Sequence, residues 1–176
     1  MTVDPVRLAE FAALRDTIRE RGTTRMVLVT VAIVAWAALA AVIVLVTPLA
    51  LLLVLPLVVL SAGFEVNFAM HLAVERVGRY LQVAFEERQA SVGWETISIA
   101  FSDQFSVKSV DPLFFWVFTA AVGANFLCVL LTNADPSDLG LVTAVHAGVL
   151  VRFVLARRLA HAQRADDLTR FRELVK

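Results

Sequence analysis

The positions of the basic residues constrain the fold of this chain more than any other feature of its sequence. Four long apolar segments cover residues 26–46, 49–68, 113–132 and 139–156. The two short connectors at 47–48 and 133–138 contain no Lys or Arg, although the chain has sixteen such residues. Basic residues are retained on the cytoplasmic side of membrane proteins. We therefore predict four crossings, with both termini and the middle segment in the cytoplasm.

The apolar character of the chain agrees with this threading. Hydrophobic residues make up 59% of the sequence, which leaves too little polar surface for a soluble domain of 176 residues. About 20 helical residues cross a hydrocarbon core of roughly 30 Å. The segments are continuously apolar rather than alternating, which favours helices over barrel strands. The predicted fold class is all-α, an integral membrane protein with four helices in two antiparallel hairpins and amphipathic cytoplasmic extensions.

The same pattern divides the chain into five regions. We predict a multi-pass protein of a bacterial-type inner membrane, with both termini cytoplasmic. The regions are a cytoplasmic amphipathic arm at 1–25, a first membrane hairpin at 26–70, a cytoplasmic helix and loop at 71–111, a second membrane hairpin at 112–156, and a cytoplasmic helical tail at 157–176.

Several local features leave alternatives open or set finer expectations. Gly22-Thr23-Thr24 predicts a turn before the first span, and the second helix either continues to Arg88 or breaks near Gly63. Residues 91–111 are compatible with a short strand pair or an irregular loop. Asp111-Pro112 predicts the start of the third membrane helix. Small residues predict close packing between the third and fourth membrane helices, namely Ala120, Ala121, Gly123, Ala124, Gly140, Ala144, Ala147 and Gly148.

Polar residues inside the apolar segments are the first candidates for function. Asn125 lies seven residues before Thr132 and His146 seven residues after Leu139, so both lie roughly 10 Å from the connector side. They are expected to form a polar pair across the hairpin. The pair is either a structural clasp or, together with Thr143, the lining of a pore or a proton relay, since histidine titrates near neutral pH.

Two further pairs lie near the predicted cytoplasmic boundary. Glu65 and Arg152 fall at similar depths and are expected either to form an ion pair or to extend separately to water. His71 and Glu75 lie one helical turn apart and form a candidate site at the boundary, although two ligands are a weak indication of a metal.

No cofactor, metal site or catalytic group is predicted. His71 and His146 differ too much in depth to share a haem, and the sequence has no phosphate-binding, nucleophile-elbow or zinc-protease motif. The expected partners are the lipid bilayer with its anionic headgroups, which attract the Arg-rich flanks, and further copies of the chain or a larger membrane complex. The mixed charges do not favour nucleic-acid binding.

Three functional hypotheses follow from these observations. The first is a non-enzymatic, self-associating scaffold or accessory subunit with a cytoplasmic helical platform. The second is a small homo-oligomeric ion channel or transporter lined by Asn125, Thr143 and His146. The third is a membrane enzyme that uses His71, Glu75 and Glu65 at the cytoplasmic boundary.

Overall fold

The structure, a computed structural model, describes residues 4–47, 49–87, 93–105, 111, 113–132 and 134–175, and these residues are helical apart from short connections. Helix α1 covers Pro5–Val46. A 3₁₀ turn, Ala50–Leu53, leads into α2, Val54–Leu81, which ends in a π-helical turn, Gln82–Glu86. The remaining helices are α3, Trp94–Phe105, α4, Phe115–Leu130, and α5, Pro136–Leu174.

The helices identify a membrane protein. Among the described residues, three helical runs are long and apolar enough to cross a bilayer: Pro5–Val46, Ala50–Glu86 and Pro136–Leu174. The apolar helix α4 has 16 residues, which at about 1.5 Å per residue extend about 24 Å, less than a typical hydrocarbon core. Three helices therefore have the length and composition of membrane-spanning helices, and a fourth crossing by α4 stays a prediction.

The expected turn before the first span is wrong, because α1 runs through Gly22 without interruption. The hydroxyl groups of Thr23 and Thr24 donate to the carbonyl oxygens of Arg19 and Glu20, one turn earlier in the helix. This back-bonding satisfies threonine inside a helix. Polar side chains near an apolar boundary therefore did not indicate a turn here.

The helical run of α2 passes Gly63 without a break. Gly63 lies against α1, where a Cβ atom in its place would stand 2.5 Å from the Cβ of Ala32. Side chains are not accommodated at that separation, so this glycine allows close approach of two helices rather than ending one.

Within the region 91–111, Trp94–Phe105 forms α3 and not the strand pair or irregular loop that the sequence allowed, while residues 91–92 and 106–110 lie outside the described residues. The carboxylate of Glu86 accepts hydrogen bonds from the backbone N–H groups of Glu95 and Thr96, each at 2.9 Å. These bonds supply partners for the N–H groups that the first turn of a helix leaves unpaired. The capping group is distant in sequence, so the local pattern did not indicate a helix.

Helix α4 begins later than expected, at Phe115, and Pro112 lies outside the described residues. Asp111 still caps this end, because its carboxylate accepts from the N–H groups of Leu113 and Trp116 at 3.3 Å. Phe114 adopts a left-handed conformation with φ of 52° immediately before the helix. The chain therefore makes one further turn between the cap and the helix.

The chain divides into two compact units. The apolar unit comprises Met26–Ala69 and Asp111–Arg158, and its core includes stacked rings of Phe64 and Phe153 with centroids 3.9 Å apart. The charged unit comprises Met1–Arg25, Met70–Val110 and Leu159–Lys176. Its core contains Leu81, Ala84 and Phe85, against which Phe11, Leu14 and Ile18 of α1 pack.

The expected close packing through small residues on α4 and α5 is wrong for most positions. Of the eight residues, the structure buries Ala121 alone. Gly123, Gly140 and Gly148 are exposed, and no neighbouring atom lies within 4 Å of where their Cβ atoms would stand. The rings of Phe118 on α4 and Phe153 on α5 meet edge to face, so bulky side chains hold these helices together instead.

Candidate functional site

Asn125 on α4 lies at the centre of a polar network inside the apolar unit, and it is fully buried. The indole N–H of Trp36 on α1 donates to Asn125 Oδ1 at 3.1 Å. Asn125 Nδ2 donates to the carbonyl oxygen of Leu53 at 3.0 Å and lies 3.0 Å from His146 Nε2 on α5. One side chain therefore connects four parts of the apolar unit.

The hydrogen bonds define the tautomer of His146. Its Nδ1 lies 2.8 Å from the carbonyl oxygen of Val142, which only accepts, so Nδ1 carries the hydrogen. Nε2 then accepts from Asn125 Nδ2. Both N–H groups of the Asn125 amide and both ring nitrogens of His146 are consequently engaged within the protein. These hydrogen bonds join α4 to α5 and to the turn before α2.

Thr143, the third residue of the predicted polar set, does not join the network. Its hydroxyl is exposed and donates to the carbonyl oxygen of Leu139 on its own helix at 2.7 Å. The side chain borders a surface groove of about 230 Å³ on α4 and α5. The groove is lined by Val122, Gly123, Phe126, Thr143, His146, Ala147 and Leu150.

Glu65 and Arg152 form an ion pair, the first of the two arrangements that the sequence allowed. Arg152 Nη2 donates to Glu65 Oε2 at 2.7 Å, and both side chains are 41% exposed. The Arg152 guanidinium also lies over the ring of Phe68, 5.4 Å from its centroid. The pair joins α2 to α5, and its exposure limits its contribution to stability.

The charged unit contains a second, larger polar cluster around Arg79 of α2. The Arg79 side chain is 5% exposed, and its guanidinium lies 3.8 Å from a carboxylate oxygen of both Glu75 and Glu95. It donates to Gln82 Oε1 at 2.8 Å. Arg15 of α1 donates to Glu95 at 2.9 Å. The cluster therefore binds α1, α2 and α3 together.

His71 and Glu75 belong to the same cluster. His71 is 8% exposed, and Glu75 Oε2 lies 3.8 Å from Arg79 and from Arg164 of α5. Glu75 Oε2 and Arg79 Nε are buried and have no hydrogen-bond partner among the described residues. The carboxylate of the predicted pair is thus neutralised by two arginines, and the described residues bring no third metal-ligating side chain to it.

Burial is the largest cause of the pKa shifts at Glu95 and His71. Desolvation raises the pKa of the Glu95 carboxyl, while the nearby charges of Arg15 and Arg79 oppose that shift. Desolvation likewise lowers the pKa of His71, which lies beyond the second apolar segment; Glu75 opposes this shift, whereas Arg25, His161 and Arg164 add to it. At neutral pH the cluster therefore holds His71 as an uncharged imidazole.

Sequence reasoning missed several members of both networks. Trp36 lies in an alanine-rich apolar run, where its indole N–H requires a buried partner, and that requirement was a usable signal. Arg79 and Glu95 look like ordinary surface charges in the sequence. Glu86 carried no local indication that it would cap α3, since its partners follow nine and ten residues later.

Comparison of the chain with protein-family models, with curated proteins and with solved structures gave no match.

Proposed function

We propose that this protein is a non-enzymatic membrane scaffold that associates with further copies of itself, alone or within a larger membrane complex. The observation that carries this proposal is the outward position of small residues on α4 and α5. Gly140, Ala144 and Gly148 follow one another at four-residue spacing and are all exposed. Exposed small residues in lipid allow another helix to approach closely and gain van der Waals contact.

The intramembrane polar groups support a structural role over conduction. Asn125 and His146 bond to each other and to neighbouring groups of the apolar unit. The hydroxyl of Thr143 bonds to its own helix. A side chain whose hydrogen-bond donors and acceptors are already engaged within the protein is less able to bind a passing ion.

The channel alternative predicts ion flux in liposomes that changes with pH and with His146→Ala. Flux equal to that of empty liposomes would rule out the channel alternative.

The ion pairs around Glu75 support a non-enzymatic role for the boundary residues. Arg79 and Arg164 each lie 3.8 Å from Glu75 Oε2, so the Glu75 carboxylate is engaged by charged groups of its own unit. In this proposal His71 and Glu75 stabilise the charged unit, which serves as the cytoplasmic platform. The enzyme alternative would instead require both groups to reach a substrate.

The proposal includes four crossings of a bacterial-type inner membrane, with α4 as the third and both termini cytoplasmic. The distribution of basic residues supports this orientation. Trp116 near the start of α4 is 66% exposed, which suits the interfacial position that tryptophan prefers. Arg157 and Arg158 follow the fourth apolar segment and would attract anionic headgroups.

The oligomeric state tests the scaffold proposal directly. Native mass spectrometry from mild detergent should show a fixed oligomer of the wild-type chain. Ala147→Leu fills the groove on α4 and α5 and should shift the protein toward monomer. Ala62→Leu makes the same change at an exposed position of α2 and should leave the oligomer intact.

Thermal melting of both variants provides the folding control, since a misfolded protein would also lose its assembly. A wild-type chain that remains monomeric, both in mild detergent and by energy transfer between labelled copies in liposomes, would refute self-association. If Ala147→Leu leaves the oligomer unchanged, the interface between copies lies outside the groove.

A further inference from the structure

Helix α3 presents an apolar face outward. Trp94 is 68% exposed, Ile97 48% and Phe101 50%, and their spacing places them on one side of the helix. Ala100 and Gln104 border the same face and are also exposed. Large exposed apolar side chains that form a stripe mark a surface of interaction.

The polar side of α3 faces the charged unit and fixes this orientation. Glu95 is held by Arg15 and Arg79. The hydroxyl of Thr96 donates to Glu86 at 2.7 Å. An amphipathic helix on a soluble domain buries its apolar side and exposes its polar side. In α3 the apolar side is exposed and the polar side is covered, because the ion pairs of Glu95 hold the polar side against the rest of the charged unit.

The composition of the stripe and its place in the chain favour lipid as the contact. Tryptophan combines an apolar ring system with an N–H donor and concentrates at the boundary between headgroups and acyl chains. Only residues 106–112 separate α3 from the apolar segment that begins at Leu113. These seven residues reach at most about 25 Å when fully extended, so the end of α3 lies within about that distance of the apolar segment. Lys108 in this connection adds a positive charge that anionic headgroups attract.

We propose that α3 lies on the membrane surface, with Trp94, Ile97 and Phe101 inserted at the boundary between the lipid headgroups and the acyl chains. Interfacial helices of this kind bury their apolar side by about 5–10 Å. The contact is additional to the membrane-spanning helices and independent of self-association. It anchors the charged unit to the bilayer through a helix that does not cross it.

Spin labelling of α3 in liposomes tests this contact. Cys128→Ala removes the lone cysteine, and Ile97→Cys then carries a nitroxide on the apolar face. Ala162→Cys on α5 is the matched control, since it is exposed in the same unit. Collision rates with oxygen, which concentrates in lipid, and with a water-soluble nickel chelate report the surroundings of each label. We expect the ratio of oxygen to chelate accessibility to be severalfold higher at 97 than at 162.

The two reagents separate the competing occupants of the face. A label at 97 that is shielded from both reagents lies against protein, either a second copy or another partner, and overturns the proposal. High chelate accessibility at 97 places the face in water and also overturns it. Ala100→Cys supplies a second probe at the edge of the stripe, and circular dichroism of each variant confirms that the helices remain folded.

Discussion

The Asn125 side chain joins three neighbouring groups of the apolar unit through hydrogen bonds. Asn125→Leu keeps a similar size but removes hydrogen bonds to Trp36, Leu53 and His146. Interhelical hydrogen bonds in membranes contribute about 0.6 kcal/mol each on average, so we expect a loss of about 2 kcal/mol. Unfolding by a denaturing detergent in mixed micelles measures it.

Thr143→Val is the matched control for that experiment, because the Thr143 hydroxyl bonds only within its own helix turn. Its effect should fall within about 0.5 kcal/mol, as for other exposed substitutions. Equal stability of Asn125→Leu and the wild type would show that the network does not act as a clasp.

His71 links the stability of the charged unit to pH. Its folded-state pKa is lowered, chiefly by burial, so the unfolded chain binds the proton more tightly. Stability is therefore present above the ordinary value of about 6.5 and falls as the pH drops from there toward the lower folded-state pKa. Thermal melting between neutral and mildly acidic pH should show this loss, and His71→Gln should reduce it.

His161→Gln serves as the control for the pH experiment, because His161 is exposed and makes a minor contribution to the shift at His71. This variant should retain most of the pH dependence. If His71→Gln and the wild type lose stability equally on acidification, another group controls the transition. Glu95 does not account for a loss in this range, because its raised pKa favours the folded state on acidification.

The contact between α1 and α2 depends on the absence of a side chain at Gly63. Gly63→Ala would bring a new methyl group within 2.5 Å of Ala32 Cβ, so the two helices must separate. Overpacking of this kind costs about 1–3 kcal/mol. Ala32→Gly should recover part of that loss in the double variant, because it removes the opposing atom.

Gly22→Ala is the control for the helix contact, since it makes the same change inside α1 where no neighbouring atom lies within 4 Å. Alanine favours helix by up to about 1 kcal/mol over glycine, so this variant should equal or exceed the wild type in stability. A Gly63→Ala protein as stable as Gly22→Ala would show that α1 and α2 do not approach closely at this level.

The membrane topology of the chain can be measured by cysteine labelling in intact cells. In a Cys128→Ala background, Ala9→Cys and Leu174→Cys place thiols near the two ends, and Asp135→Cys places one in the connector between α4 and α5. All three positions are exposed. A membrane-impermeant maleimide should label position 135 from outside and positions 9 and 174 only after permeabilisation. Labelling of either end from outside would refute the four-crossing topology. The label at position 135 is the specific test of whether α4 crosses the membrane.

Periodicity and length predicted the helices better than the contacts between them. The apolar run that begins near Met26 predicted a spanning helix because burial of about 20 consecutive apolar residues in lipid requires one. The same run gave no warning that α1 would continue through Gly22, since back-bonded threonines are compatible with both helix and turn. Likewise α3 depends on Glu86, a capping group in another element, which no local pattern reports.

The polar sites show the same division. Depth along the sequence placed Asn125 and His146 at one level, and Glu65 and Arg152 at another, because an α-helix advances by a fixed rise per residue. The depth of a residue in the membrane does not tell how its helix is rotated about the helix axis. The contribution of Trp36 and the burial of Arg79 among carboxylates depend on that rotation and on which neighbouring helix is adjacent.

The chain's own composition established a helical membrane protein, because continuous apolar stretches of this length have no other stable way to satisfy their backbone groups in lipid. Three-dimensional packing alone decided which side of each helix is covered. It turned most of the small residues of α4 and α5 outward and the carboxylate of Glu95 inward. The orientation of each helix depends on how side chains from segments distant in sequence pack together. The spacing of residues along the sequence does not contain that information.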